Sequence, residues 1–317
     1  MIKGIHHVAL TLANAREAAK FYKAAAAFTV ADTETLRLPT GEDTVDIVGA
    51  SWLQAPNAYL RLLEPSSPPT PRQARREVAE AGIVHVCLQS VSVDNLYQNF
   101  ERAGASFHAP PVDLGTGFLY SYARDAESNV VELEGVPPVW KDATPWVAHV
   151  SFSSADIDRL ADFYAKVVNQ TATKSPRIGP SRRMDLVSGM AHTEFRAAWI
   201  PAGNMQIEVI QYFVPPTVAI TNERTLGDLG YSYVCFEVDD MPAAIQHLRA
   251  LGATQSAALA KLSEPNRHFC FDPDGNIVLL LLLDTTEREF TISRLPDASI
   301  ATRMAEKRDA LIKKANK

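Results

Sequence analysis

The chain has 317 residues, 46 % of them hydrophobic and 21 % charged, with a formal net charge of −6. This is ordinary globular composition. It excludes a disordered, collagen-like or disulfide-scaffold protein and leaves no basic field to hold nucleic acid. The longest apolar run, Ile277 to Leu283, is seven residues, against the roughly 20 needed to cross a bilayer. The three cysteines, Cys87, Cys235 and Cys270, lie singly in apolar runs, and the opening MIKGIHHVAL has no secretory-signal pattern. Reduced thiols in a cytoplasmic protein without membrane partners are expected.

Taken in chain order, one layout recurs. A strand over Ile5–Leu12 leads into a helix starting near Asn14, then into apolar runs ending in NAYLRLLEP (57–65). After SSPPTPRQARREVAEAG (66–82) a strand over Ile83–Gln89 precedes a helix from Ser92 and the run DAESNVVELEG (125–135). GVPPVWKDATPW (135–146) joins the halves. A third unit follows, with a strand over Val147–Ser153, a helix from Ser154 and NMQIEVIQY (204–212). Across VPPTVAITNERTLGDLG (214–230) lies the fourth, with Tyr231–Val238, a helix from Asp239 and DPDGNIVLLLLLD (272–284). Polar residues at the helix starts suit the unpaired amides of a first turn. The helices of units two and four end in FERAGA (100–105) and LRALGA (248–253), with glycine where a left-handed cap belongs.

The register is regular: His7 to Tyr22, His85 to Phe100, His149 to Tyr164 and Tyr233 to Leu248 each span 15 residues. The expected fold class is therefore α+β, with four βαβββ modules. The first half, residues 1–140, holds modules 1–65 and 82–135, and the second, 141–290, holds modules 146–213 and 230–284. The end of the chain, residues 291–317, is expected to form a helical tail. From Arg303 to Lys317 it carries six Lys or Arg against two acids and reads as solvated or docked on an acidic body.

A βαβββ unit that opens GI.HV.L and closes D..GN..E resembles the vicinal oxygen chelate superfamily, whose members include glyoxalase I, methylmalonyl-CoA epimerase, extradiol dioxygenases and bleomycin-resistance proteins. The resemblance covers residues 1 to about 284 and is specific for the fold. It implies that modules pair into two cupped mixed sheets. It also implies one divalent metal (Zn, Ni, Fe, Mn or Co) in a cup, held by a first-strand residue and a last-strand carboxylate from each module. Those positions are His7 and Arg61 in unit one, His85 and Glu132 in unit two, His149 and Glu208 in unit three, and Tyr233 and Leu279 in unit four. Strand alternation puts His7 on one face with Ile5 and Ala9, and His85 with Ile83 and Cys87.

Two pairings are open. If unit two faces unit three, the metal ligands are His85, Glu132, His149 and Glu208. If unit one faces unit two, they are His7, His85 and Glu132, a set typical of Fe(II) oxygenases. The first is favoured because it gathers every matching carboxylate in one cup and keeps the Arg61 cation away from the metal. By resemblance, Glu132 or Glu208 then moves a proton in glyoxalase- or epimerase-like chemistry on a small oxygenated substrate. The alternatives are a ring-cleaving dioxygenase and a metal-free binding protein. Arg61 and Tyr122 are the candidate substrate contacts, although Arg61 could equally pair with Glu64, and aromatic packing is the plainer reading of Tyr122. His108 and His268 are further acid–base candidates or simply surface residues, and the equivalently placed Cys87 and Cys235 read as packing. A monomer or homodimer would serve, since paired modules complete their cups within one chain.

Overall fold

The computed structural model describes residues 1–31, 47–66, 77–115, 117–136 and 145–315. Most of the 66–82 and 135–146 linkers therefore lies outside the described residues. Module one comprises β1 (Ile2–Thr11), α1 (Ala15–Ala26), β2 (Thr29–Ala31), β3 (Ile47–Gln54) and β4 (Tyr59–Pro65). Module two comprises β5 (Gly82–Ser90), α2 (Val93–Arg102), β6 (Ser106–Phe107), β7 (Val112–Asp113), β8 (Leu119–Arg124) and β9 (Val130–Gly135). Module three comprises β10 (Trp146–Ser153), α3 (Ile157–Val167), β11 (Thr173–Lys174), α4 (Arg182–Ser188), β12 (Glu194–Pro201) and β13 (Gln206–Val214). Module four comprises β14 (Gly230–Val238), α5 (Met241–Ala250), α6 (Ala257–Leu262), β15 (Arg267–Phe271) and β16 (Ile277–Leu281), and α7 (Ile300–Ala315) ends the chain. No described helix is long and apolar enough to cross a membrane.

Local chemistry sets the element boundaries. Asn14 accepts from the Glu17 amide at the start of α1. Asp156 and Asp240, just beyond the residues expected, cap α3 and α5 in the same way. Ser154 instead accepts from the Asp156 amide and donates to Asp274. After α2 and α5, Gly104 and Gly252 take φ of +100° and +102°, a region closed to most side chains. Module four departs from the expected pattern. Its first post-helical strand is reduced to a single bridge, Thr254 to Phe271, and the segment AALAKL forms α6, capped by Ser256. Ala, Leu and Lys are strong helix formers and the serine supplies the start signal.

The modules pair as two with three and one with four. The nine-stranded sheet centres on β13-β10-β5-β9, and the seven-stranded sheet on β16-β14-β1-β4. One continuous apolar core takes residues from both sheets, such as Leu10, Leu62, Val86 and Phe152, and from helices α1, α2, α3 and α5. The helices thus lie between the sheets, and the other face of each sheet carries its own separate clusters.

Two pairs of equivalent contacts lock this arrangement. Asn57 and Asn204, in the turns before β4 and β13, each donate to the other's carbonyl at 2.8 and 2.7 Å. Each also bonds one residue of a first strand through both amide and carbonyl, Asn57 with Val147 and Asn204 with Ile5. Tyr22 and Tyr164, the tyrosines at the 15-residue spacing in modules one and three, donate to Asp125 and Asp272 in the last turns of modules two and four, at 3.0 and 2.8 Å.

Strand alternation needs a correction. In all four first strands an extra residue bulges immediately before the expected ligand position: His6, Val84, Ala148 and Ser232. An added residue shifts the two-residue phase. Ile5 and Ile83 therefore turn into the shared core, whereas Ala9 and Tyr233 stay on the opposite face. The C-terminal helix begins against the shared core, where Ile300, Ala301 and Met304 are buried, while Arg303, Glu306 and Lys307 are exposed.

Candidate metal centre

Four neighbouring strands of the nine-stranded sheet each bring one side chain to the floor of its cup: Glu208 from β13, His149 from β10, His85 from β5 and Glu132 from β9. The register is pseudo-symmetric. His85 pairs across the β5–β10 junction with Ser151, and His149 with Cys87. The carboxylates lie in parallel register with those same two residues, Glu132 beside Cys87 and Glu208 beside Ser151. All four are buried, with none more than 8 % exposed.

Their inner atoms lie within 4.8 Å of one another. His149 Nε2 stands 2.9 Å from Glu132 Oε2 and 3.4 Å from Glu208 Oε2. His85 Nε2 stands 3.5 and 3.6 Å from the same oxygens and 3.4 Å from His149 Nε2. Donors about 2.1 Å from one ion stand about 3.0 Å apart in octahedral and about 3.4 Å apart in tetrahedral coordination. Two imidazoles and two carboxylates at these separations fit a divalent cation, and this donor set suits Zn²⁺, Ni²⁺, Fe²⁺, Mn²⁺ or Co²⁺.

The electrostatics agree. Burial raises a carboxyl pKa, yet Glu132 and Glu208 are both held below the usual range, because hydrogen bonds and charge from His149 and His85 outweigh it. Burial likewise opposes charge on His149, but the two carboxylates push it up to about 10. Without an ion, a proton on His149 thus offsets part of the carboxylate charge. Trp199 Nε1 donates to Glu208 Oε1 at 2.9 Å, which fixes that carboxylate with its other oxygen toward the cluster. Glu132 has the buried Cys87 thiol, not an indole, as its hydrogen-bonding neighbour.

Tyr122 lies in cross-strand register with Glu132, its ring 5.3 Å from that of His85. Burial and the nearby Tyr212, Glu132 and Glu208 keep its phenol protonated. Arg61 is not part of this centre. It lies on β4 of the other sheet, beyond the shared core, so the expectation that it contacts a substrate held here is corrected. The alternative ligand set fails for the same reason, because His7 lies on β1 of that sheet and is separated from His85 and Glu132. His268, on β15, is also in the other sheet. His108 packs against Gly189, which ends α4 at φ +72°, and a β-carbon there would stand 2.2 Å from the ring.

The Cys87 thiol is driven up by burial and by Glu132 and Glu134, and it lies 3.7 Å from Glu134. Glu134 in turn is gripped by Gln89 at 2.6 Å. The groups Cys87–Glu134–His149 and His6–His7–Cys235 also bring potential donors together. The first is weakened by the protonated thiol and the engaged carboxylate, and the second by histidines already bonded to each other. Sequence reasoning missed Trp199, Tyr212 and Ser151. Tyr212 is four residues after Glu208 and Ser151 two after His149, so alternation alone could have found both. Trp199 is in cross-strand register with Glu208 and needed the pairing.

Two family profiles match the chain, over residues 4–133 and 148–271, and both describe the glyoxalase/bleomycin resistance protein/dioxygenase superfamily. No curated protein matches. Among solved structures, glyoxalase I from Zea mays superposes with a TM-score of 0.60 at 14 % identity, covering 90 % of this chain and 95 % of its own. A protein from Bacillus subtilis subsp. subtilis str. 168, provisionally named a dioxygenase, gives 0.54 at 11 % identity, covering 97 % and 96 %. At such identities the likeness is one of fold.

Proposed function

The chain belongs to the glyoxalase/bleomycin resistance protein/dioxygenase superfamily, and on that footing we propose that it is a metal-dependent enzyme acting on a small oxygenated metabolite. The reaction class is proton transfer next to a carbonyl, as in a lyase or isomerase. The observation that carries this reading is the convergence of His85, Glu132, His149 and Glu208 within 4.8 Å in a buried cup. All four would hold the ion, and one chain supplies them all, so a monomer suffices. A bound divalent cation supplies a Lewis acid that favours negative charge developing on adjacent substrate oxygens.

The protein's own groups divide the remaining work. Glu208, fixed by Trp199, is the stationary carboxylate. Glu132, which lacks the indole anchor of Glu208, is the carboxylate that takes a proton from substrate carbon and returns it. Tyr122 and Tyr212, both buried and kept protonated, offer phenol donors to a substrate oxygen. Met184 and Val187 of α4 join these tyrosines in an apolar cluster that keeps water away.

Elemental analysis of protein purified without chelators tests the first half, with one divalent ion per chain expected. Exchange of substrate carbon-bound hydrogen for solvent deuterium, followed by NMR across small α-hydroxy carbonyl compounds, tests the second. Glu132→Gln should abolish the exchange. A protein that takes up no ion yet binds such compounds with full affinity would instead be a binding protein.

A further inference from the structure

The seven-stranded sheet repeats the cup with different chemistry. At the positions equivalent to His149, Glu208, His85 and Glu132 it carries His7, Arg61, Tyr233 and Leu279. Leu279 belongs to an apolar cluster with Ala9, Leu63, Tyr233 and Cys235, so no carboxylate faces this floor from either last strand. A cation occupies it instead. Arg61 is only 4 % exposed, and its guanidinium carbon stands 4.4 Å over the Trp52 ring.

Among the described residues, the polar groups around Arg61 leave it without a counter-charge. His6 Nε2 bonds the Phe290 carbonyl at 2.9 Å and so carries a proton. Burial keeps His6 and His7 neutral, with His6 pushed down to about 4. His6 Nδ1 must then accept from His7 Nδ1–H at 2.8 Å, and His7 Nε2 from the Tyr233 hydroxyl at 3.1 Å. Every proton in the chain is committed, and none of its members is anionic. The other nearby cation, Arg267, is ion-paired with Glu287 and Glu264. Among the described residues no carboxylate pairs with Arg61. Its Nε and the Trp52 Nε1, on cross-strand neighbours in register, are both buried N–H donors without an acceptor among the described residues.

Buried donors are nearly always paired, and a buried cation without a counter-charge is costly. Two adjacent orphan donors, one on a guanidinium fork, match an anion with two oxygens. We propose that the seven-stranded cup is a second ligand site that binds a small oxyanion, a carboxylate or phosphate, on Arg61 and Trp52. The site needs no metal, and its ligand is distinct from whatever the tetrad holds.

The test is calorimetric titration of the full-length protein with formate, pyruvate and inorganic phosphate, together with melting in anion-free buffer and at saturating anion. One saturable site per chain is expected for at least one probe, with a rise in melting temperature of about 4 °C at a hundredfold excess over Kd. Glu132→Gln should not alter it, which separates this site from the tetrad. Arg61→Lys should weaken binding about tenfold by removing the fork, and Arg61→Met should abolish it. Arg61→Met should also melt no lower than the parent in anion-free buffer, because it removes an uncompensated buried charge. The proposal is overturned if no probe saturates, if the parent and Arg61→Met respond alike to anion, or if Arg61→Met is unstable or unfolded whatever the anion. In the last case the cation is satisfied within the chain.

Discussion

On the floor of the nine-stranded cup stand two imidazoles and two carboxylates; on the floor of the seven-stranded cup stand an imidazole, a phenol, a guanidinium and a leucine. The scaffolds beneath are the same. Each first strand bulges one residue before its floor position, and each last strand runs parallel to it. The change of chemistry comes from side chains at fixed positions, above all Arg61 and Leu279 in place of two glutamates. Those exchanges turn an electronegative floor into a positive one without disturbing the backbone. The comparison shows how little of this fold must change for one cup to carry a candidate cation site while the other carries none of its carboxylates.

The sharpest break of that comparison is removal of a ligand. His149→Ala should lower affinity for a divalent ion more than about 100-fold, since outer contacts alone are worth 10–100-fold. Competition against a metallochromic chelator measures this, and equal affinity in the variant would dissolve the distinction between the cups. Leu279→Ala should cost about 3 kcal/mol in urea unfolding, as a large-to-small change in a buried cluster does, while leaving ion stoichiometry unchanged.

Trp199→Phe frees Glu208 from its outer anchor and should weaken the ion about 10–100-fold. The pH dependence sharpens the contrast further. The ion must displace the proton that the carboxylates hold on His149 up to about pH 10. Apparent affinity should therefore rise up to about tenfold per pH unit between roughly 7 and 9, with a proton released on binding. For the ion-free protein the sign is opposite. A histidine with a raised folded pKa contributes stability fully present below about 6.5 and lost as pH rises through about 10, so melting temperature should fall across that window.

The smallest effect tests the shared scaffold. Tyr22→Phe and Tyr164→Phe each remove one buried hydrogen bond to the turn aspartate of the next module. Each should cost about 1 kcal/mol, and unequal losses would show that the two halves are not mechanically equivalent.

Much of this was legible before folding. The 15-residue spacing, the glycines after α2 and α5 and the D..SN and DPDGN turns are local signals, and their structures formed as local chemistry requires. The pairing that gathers Glu132 and Glu208 in one cup was favoured on electrostatic grounds, but the alternative stayed open. The bulges were not legible, because Val84 and Ala148 have nothing unusual about them. The extra residue exists only relative to the partner strand, and it displaced Ile5 and Ile83 from the face that simple alternation gave them. Trp199 escaped notice because its relation to Glu208 is a cross-strand register. Arg61 was read as a candidate substrate contact although the favoured pairing kept it away from the metal, since a guanidinium fits an anion wherever it is placed.

The amino-acid sequence alone determined the donor types, their periodic positions and the four modules, because caps, turns and apolar runs act over a few residues. Which modules share a sheet was decided only by tertiary structure, through hydrogen bonds between β5 and β10 and between β1 and β14, strands far apart in the chain. That choice set His85 against His149 and left Arg61 beside Trp52, since the sign of a buried site depends on which side chains are close enough to share one low-dielectric volume.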